Sequence, residues 1–135
     1  MKNKIAIKMI LGLLCFVILF HLGIIIKVIP YKIAWGGRLQ NDGEMYVFET
    51  ISIILNLFLG FIILMKGRFI KSYFNQKIVN FILWFFLVLF ILNTIGNLFA
   101  KTDFEKMFSV LTFLFAVFIG IILKDETKIS KSEYL

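Results

Sequence analysis

Four long apolar runs, separated by short stretches that hold nearly all the charge, make up most of this chain. The runs cover about 9–29, 46–65, 78–95 and 104–123. A hydrocarbon core about 30 Å thick takes roughly 20 apolar residues as helix, and each run is close to that length. Inside lipid a crossing segment must satisfy its own backbone N–H and C=O groups, which a helix does. The runs lack the strict alternation of barrel strands and are about twice as long. The pattern therefore predicts an all-α, four-helix transmembrane bundle, with residues 1–135 forming one domain.

The breaks between runs carry readable signals. Pro30 lacks an N–H and is expected to end or turn the first helix. Asn41-Asp42-Gly43-Glu44 is a turn whose Asn or Asp can cap the second. Thr102-Asp103-Phe104-Glu105 fits a capping box at the start of the fourth. The middle loop, Lys66–Lys77, mixes Phe69, Ile70, Tyr73 and Phe74 with basic residues, as an interface anchor does. The tail from Lys124 to Leu135 is polar and is expected to be solvated and partly frayed. The first run follows Lys2, Lys4 and Lys8, as a signal peptide would. It is too long for a signal core, and no A-x-A-like site follows it, so it reads as a span.

Composition agrees with lipid as the main solvent. The chain is 61% hydrophobic with 17 Phe, too much apolar surface for a core of this size to bury. The formal net charge of +7 would point to nucleic acid in a soluble protein. Here the charges sit at the ends of the spans, and a nucleic-acid partner is not expected. With the N-terminus cytoplasmic, the inner segments hold ten basic residues: Lys2, Lys4, Lys8, Lys66, Arg68, Lys71, Lys77, Lys124, Lys128 and Lys131. The outer loops hold five: Lys27, Lys32, Arg38, Lys101 and Lys106. The positive-inside rule then places both termini in the cytoplasm. Cys15, the single cysteine, lies inside an apolar run and can form no intramolecular disulfide.

Polar residues within the spans are the candidates for chemistry, because they are expensive there. The second span carries Glu49, Ser52 and Asn56 on one helix face. The third carries Asn93 and Asn97, and the first carries His21. Thr112, Ala116 and Gly120 form a small-residue stripe on the fourth that would let another helix approach closely. All but Asn80 gather in the half of the bundle next to the first loop. That loop, 31–45, offers Tyr31 and Trp35 as interface anchors, and a Gly36-Gly37 turn that would deliver Arg38 toward Glu49. One His and one off-face Cys make no metal site. No nucleophile-base set or phosphate loop is present, so neither a catalytic residue nor a cofactor is expected.

The runs Ile29-Pro30-Tyr31-Lys32-Ile33-Ala34-Trp35-Gly36-Gly37-Arg38-Leu39, Met45-Tyr46-Val47-Phe48-Glu49 and Leu92-Asn93-Thr94-Ile95-Gly96-Asn97 carry a resemblance. Across nearly its whole length the chain resembles small four-span bacterial integral membrane proteins with no assigned activity. The resemblance implies a bacterial inner-membrane location and brings no site residue with it.

Two readings of the polar cluster compete. In the preferred one, the protein is non-enzymatic and the cluster is a clasp that stabilises the bundle and presents a partner surface. Glu49 then pairs with Arg38 or His21, and the Asn side chains bond between helices. In the alternative, Glu49 and His21 belong to an outward-facing pocket of a small-molecule or proton-coupled carrier, acting as a homodimer. An integral membrane enzyme acting on lipid is the weakest option. The expected partners are the lipid bilayer and either a second copy of the chain or another membrane protein. The clasp is preferred because both ionisable groups stand shallow in the span, where a charge costs less.

Overall fold

The computed structural model describes the chain over residues 2–33, 38–100 and 102–133, with side chains over 4–33, 38–100 and 102–124. Four helices follow in order, α1 (Lys2–Ile25), α2 (Asp42–Lys66), α3 (Gln76–Leu98) and α4 (Asp103–Glu133), with a 3-10 turn at Tyr31–Ile33. All four are long and apolar enough to cross a membrane, and no strand occurs among the described residues. Each helix contains most of its apolar run and extends into the flanking polar residues, because helix geometry does not stop where apolarity does. The largest difference is in the tail. Its backbone stays helical to Glu133 rather than fraying, in keeping with good helix formers such as Lys and Glu there.

The helix starts form as their sequences dictate. Asn41 Oδ1 accepts the N–H of Glu44 at 2.8 Å, and the Glu44 carboxylate accepts the N–H of Gln40 at 2.9 Å. Thr102 Oγ1 accepts the N–H of Glu105 at 3.2 Å and donates its hydroxyl proton to the Glu105 carboxylate at 2.9 Å. Asn75 caps α3.

The ends of α1 and α2 are less expected. α1 stops at Ile25, before Pro30 can act. Lys27 takes φ 64 and Arg68 takes φ 60, both in the left-handed region that favours glycine. The N–H of Lys27 bonds the Ile24 carbonyl, and that of Val28 bonds Gly23. Arg68 and Phe69 repeat the arrangement on Met65 and Leu64. These are Schellman caps with a basic residue where glycine usually stands. Left-handed backbone costs an L-residue roughly 1–2 kcal/mol. Arg68→Gly is therefore expected to stabilise the bundle by about 1 kcal/mol, read as a higher Tm in detergent; an unchanged or lower Tm would count against this account.

Lys27 also gains a partner. Its Nζ lies 2.6 Å from Asp42 Oδ2. That hydrogen bond, and next the carboxylate's charge, hold the ammonium above the ordinary lysine value. The folded pKa is the raised one, so this stabilisation is full below the unfolded lysine value. It is lost as pH rises through the folded value. Both side chains are about half exposed, which keeps the contribution small.

Packing is uneven along and around the bundle. α3 packs most extensively on α4, α1 packs on α2 and α4, and α2 meets α3 less extensively than these neighbours meet each other. The main core fills the half next to the α2–α3 loop, with Ile10, Leu59, Ile62, Ile63, Leu83 and Ile122 fully buried. There Lys66 Nζ donates to Asn80 Oδ1 at 2.7 Å, joining α2 to α3. A second, smaller cluster of Ile24, Leu39 and Met45, with Tyr31 packed against it, closes the other end. Tyr31 is thus part of a loop folded onto the bundle, and not simply an anchor in the interface. Gly120 has nothing within 4 Å of where a Cβ would stand. The close helix approach expected there is not made at Gly120 among the described residues, although Thr112 and Ala116 are buried.

Candidate functional site: a cleft between the two core clusters

A cavity of about 1470 Å³ separates the two clusters. Its floor is apolar: Val17 from α1, Phe86 and Phe90 from α3, and Phe115 from α4. Phe90 and Phe115 stack there with centroids 4.6 Å apart. Toward the α1–α2 loop the lining turns polar, with His21, Arg38, Glu49 and Asn97 on its wall. Exposed Arg38 and Phe99 stand at that end. Exposed Leu55 of α2 and Asn93 of α3 flank the cleft on its side. The cleft thus opens both at the loop end and sideways between α2 and α3, which pack on each other less than the other neighbouring helices do.

Sequence-selected residues converge on this cleft. His21, Arg38, Glu49, Ser52, Asn56, Asn93 and Asn97 all line it. Their bonding differs from expectation. Glu49 is completely buried although it lies only two turns into α2. His21 Nδ1 is bonded to Glu49 Oε2, so the pair ties α1 to α2. Arg38 makes no ion pair with Glu49 and stays exposed at the rim. Of the two partners considered for Glu49, the imidazole is the one that meets it. The reason is placement. His21 sits on the helix that packs most closely on α2, whereas Arg38 follows a loop whose course sequence cannot give. Trp35, Gly36 and Gly37 lie outside the described residues.

The amides and hydroxyls do not act as the expected glue. Ser52 Oγ donates to the Phe48 carbonyl at 2.9 Å, and Asn56 Nδ2 donates to the Ser52 carbonyl at 2.7 Å, both within α2. Asn93 and Asn97 form no side-chain hydrogen bond among the described residues and face the cleft. The hydroxyl bond between helices comes instead from Thr94 Oγ1 to Thr112 Oγ1, at 2.9 Å between α3 and α4.

Two features escaped sequence reasoning. Glu105 is only 5% exposed and lines the cleft. The capping box had given it a role at the start of α4 only. Its spacing to Ser109, Thr112 and Ala116 puts it on the buried face of α4, a signal that was available. The second feature is an aromatic cluster on the same wall. Phe20 lies 4.8 Å from Phe108, and Phe104 lies 5.1 Å from Phe108, centroid to centroid. Phe residues this common in a span carry no positional signal of their own. Among the described residues no group of His, Cys, Asp and Glu is placed to hold a metal ion.

No protein-family model matches the chain, and no curated protein or solved structure does. The geometry of the cleft is therefore what bears on function.

Proposed function

We propose that this is a bacterial inner-membrane protein with both termini cytoplasmic, and that it binds an amphiphilic small molecule in the cleft between α2 and α3. The observation that carries the reading is a cavity of about 1470 Å³ with a buried His21–Glu49 pair in its wall. A cluster that served only as a clasp would be packed, because an unfilled space forfeits dispersion contacts. This space exceeds the roughly 300–1,000 Å³ of pockets for drug-sized ligands. Its apolar floor, polar end and side opening toward lipid suit a molecule that is itself apolar at one end and polar at the other. The distribution of basic residues supports cytoplasmic termini, which turns the mouth of the cleft toward the outer leaflet. The resemblance to small bacterial four-span proteins supports the location. Among the described residues that line the cleft, the side chains supply an apolar floor and polar contacts, which suit binding or carriage.

Native mass spectrometry of the purified full chain tests the binding reading. A discrete small-molecule adduct on the wild-type protein is expected. Asn93→Trp, which places an indole in the side opening, is expected to remove at least nine-tenths of it. A wild-type chain that carries no adduct and takes up none on incubation with membrane lipid extract would sink the proposal. The same spectra report whether the chain is a monomer or a homodimer.

A further inference from the structure

The end of the bundle away from the mouth of the cleft is strongly basic. Lys4 and Lys8 of α1, Arg68, Lys71 and Lys77 around the α2–α3 loop, and Lys124 of α4 are all exposed there. Packing brings these elements to one place. Ile7 of α1 lies 3.2 Å from where a Cβ on Gly67 would stand, and Ile7, Met65, Val79 and Leu123 share the core beneath. Every carboxylate with a described side chain is at the other end of the bundle. Asp125, Glu126 and Glu133 follow in the tail, so this end holds three acids against ten basic residues. Lys66 is engaged by Asn80. Arg68 and Lys71 form no side-chain hydrogen bond or ion pair among the described residues.

The backbone singles out Arg68. Gly67 keeps an ordinary φ of -80, while Arg68 beside it takes φ 60. The usual cap puts glycine in the left-handed position. Here glycine is needed one residue earlier, because a Cβ at 67 would stand 2.9 Å from the Phe69 ring. Glycine at 68 as well would relieve the strain that arginine carries, so the value of this arginine lies outside the stability of the fold. The loop also has a fixed depth. Tyr73 stacks on Phe61 of α2 with centroids 6.0 Å apart, and its N–H meets Met65 Sδ at 3.4 Å. The loop therefore lies back along the wall of the bundle, with Phe69, Tyr73 and Phe74 exposed. Tyrosine on such a wall sits at the level of lipid headgroups, and that level is where Arg68 and Lys71 would meet phosphate.

We propose that the α2–α3 loop binds the phosphodiester of an anionic phospholipid, with Arg68 as the specific contact and Lys71 as the second cation. A planar guanidinium can meet two phosphate oxygens at once, whereas an ammonium acts as a point charge. A group of basic residues beside a span is the composition that attracts anionic lipid. The exposed rings of Phe69 and Phe74 give the glycerol and the upper acyl carbons an apolar surface, which a soluble phosphate would not use. This site is separate from the cleft and does not depend on the cleft having an occupant.

Thermal unfolding of the full chain in dodecylmaltoside, titrated with dioleoylphosphatidylglycerol or dioleoylphosphatidylcholine, tests the proposal. The anionic lipid is expected to raise Tm at roughly tenfold lower mole fraction than the zwitterionic one. Arg68→Gly and Lys71→Gln should each move the phosphatidylglycerol midpoint upward about fivefold, the worth of one cation at an anionic surface. Arg68→Gly should do so while raising Tm in the absence of lipid, a split that a merely structural residue would not give. Lys32→Gln removes one exposed cation at the opposite end and should leave the midpoint unchanged. Asn93→Trp, at the side opening of the cleft, should leave it unchanged too. Equal midpoints for the two lipids, or no shift in either loop variant, would overturn the proposal. So would a shift from Lys32→Gln equal to that from Lys71→Gln, which would mean attraction to net charge alone. A response lost in Asn93→Trp would place the lipid in the cleft, and a response to inorganic phosphate equal to that of phosphatidylglycerol would mean a bare anion site; both outcomes overturn the proposal, and neither removes the cleft reading.

Discussion

His21→Leu is expected to destabilise the bundle by about 3 kcal/mol, the scale for removing one partner of a buried ion pair. The substitution leaves the fully buried Glu49 carboxylate without the imidazole bonded to it. Loss of that bond is costly for a carboxylate shut off from water. Glu49→Leu should cost less, since the remaining imidazole is itself 15% exposed and so not fully cut off from its surroundings. The double variant, His21→Leu with Glu49→Leu, should recover to within about 1 kcal/mol of wild type, because two well-packed apolar residues often replace a buried pair at little cost. Unfolding of all four proteins in mixed micelles completes the thermodynamic cycle. Equal losses for both single variants, carried in full by the double, would mean that the two side chains act independently. The double variant also separates two roles of the pair. A stable bundle that no longer retains a small molecule would show that the pair serves the cleft beyond joining α1 to α2.

Phe115→Ala is expected to cost about 3–5 kcal/mol, as for other large-to-small changes at tightly packed sites. Phe115 is 1% exposed, stacks on Phe90, and forms part of the cleft floor. The space that its ring would leave opens onto the cleft floor and not onto the outer face of α4. Phe113, two residues earlier, is 56% exposed on the outer face of α4. Phe113→Ala should cost under about 1 kcal/mol, because lipid tails are as apolar as the ring and refill its place. The pair of variants, compared by thermal unfolding in one detergent, reports which face of α4 meets lipid. Similar losses at both positions would contradict the packing described here. Phe115→Ala also deepens the floor, so it should leave head-group selectivity unchanged while altering the preferred length of the apolar part.

The sequence went far toward the fold and only part of the way to the cleft. The residues that line it were legible because depth in a span makes polarity conspicuous: His21, Glu49, Asn56, Asn93 and Asn97 all stand out against Ile, Leu and Phe. Their partners were not legible. Helical spacing fixes which residues share a face, but not which face meets which neighbour. Asn56 therefore bonds its own helix, while Thr94, an inconspicuous hydroxyl, bridges to Thr112. Glu105 was hidden for the opposite reason. Its place in the capping box already accounted for a carboxylate there, and its burial comes from surrounding elements and not from its distance along the helix axis.

The same division applies to the first loop. Its turn residues, its cap at Asn41 and its proximity to Glu49 were readable from local chemistry. That it folds back to bury Leu39 and Met45, and that Glu49, one turn beyond Met45, is fully enclosed, is decided by tertiary packing. By itself the sequence determined four lipid-compatible helices, their order, their caps and the end at which polar groups collect. These follow from backbone hydrogen bonding and hydrophobic length, which act locally. Only the tertiary structure decided that α2 and α3 stand apart, that His21 and not Arg38 meets Glu49, and that the polar residues surround a space. Those outcomes depend on how four apolar surfaces share a limited contact area, and no single segment contains that information.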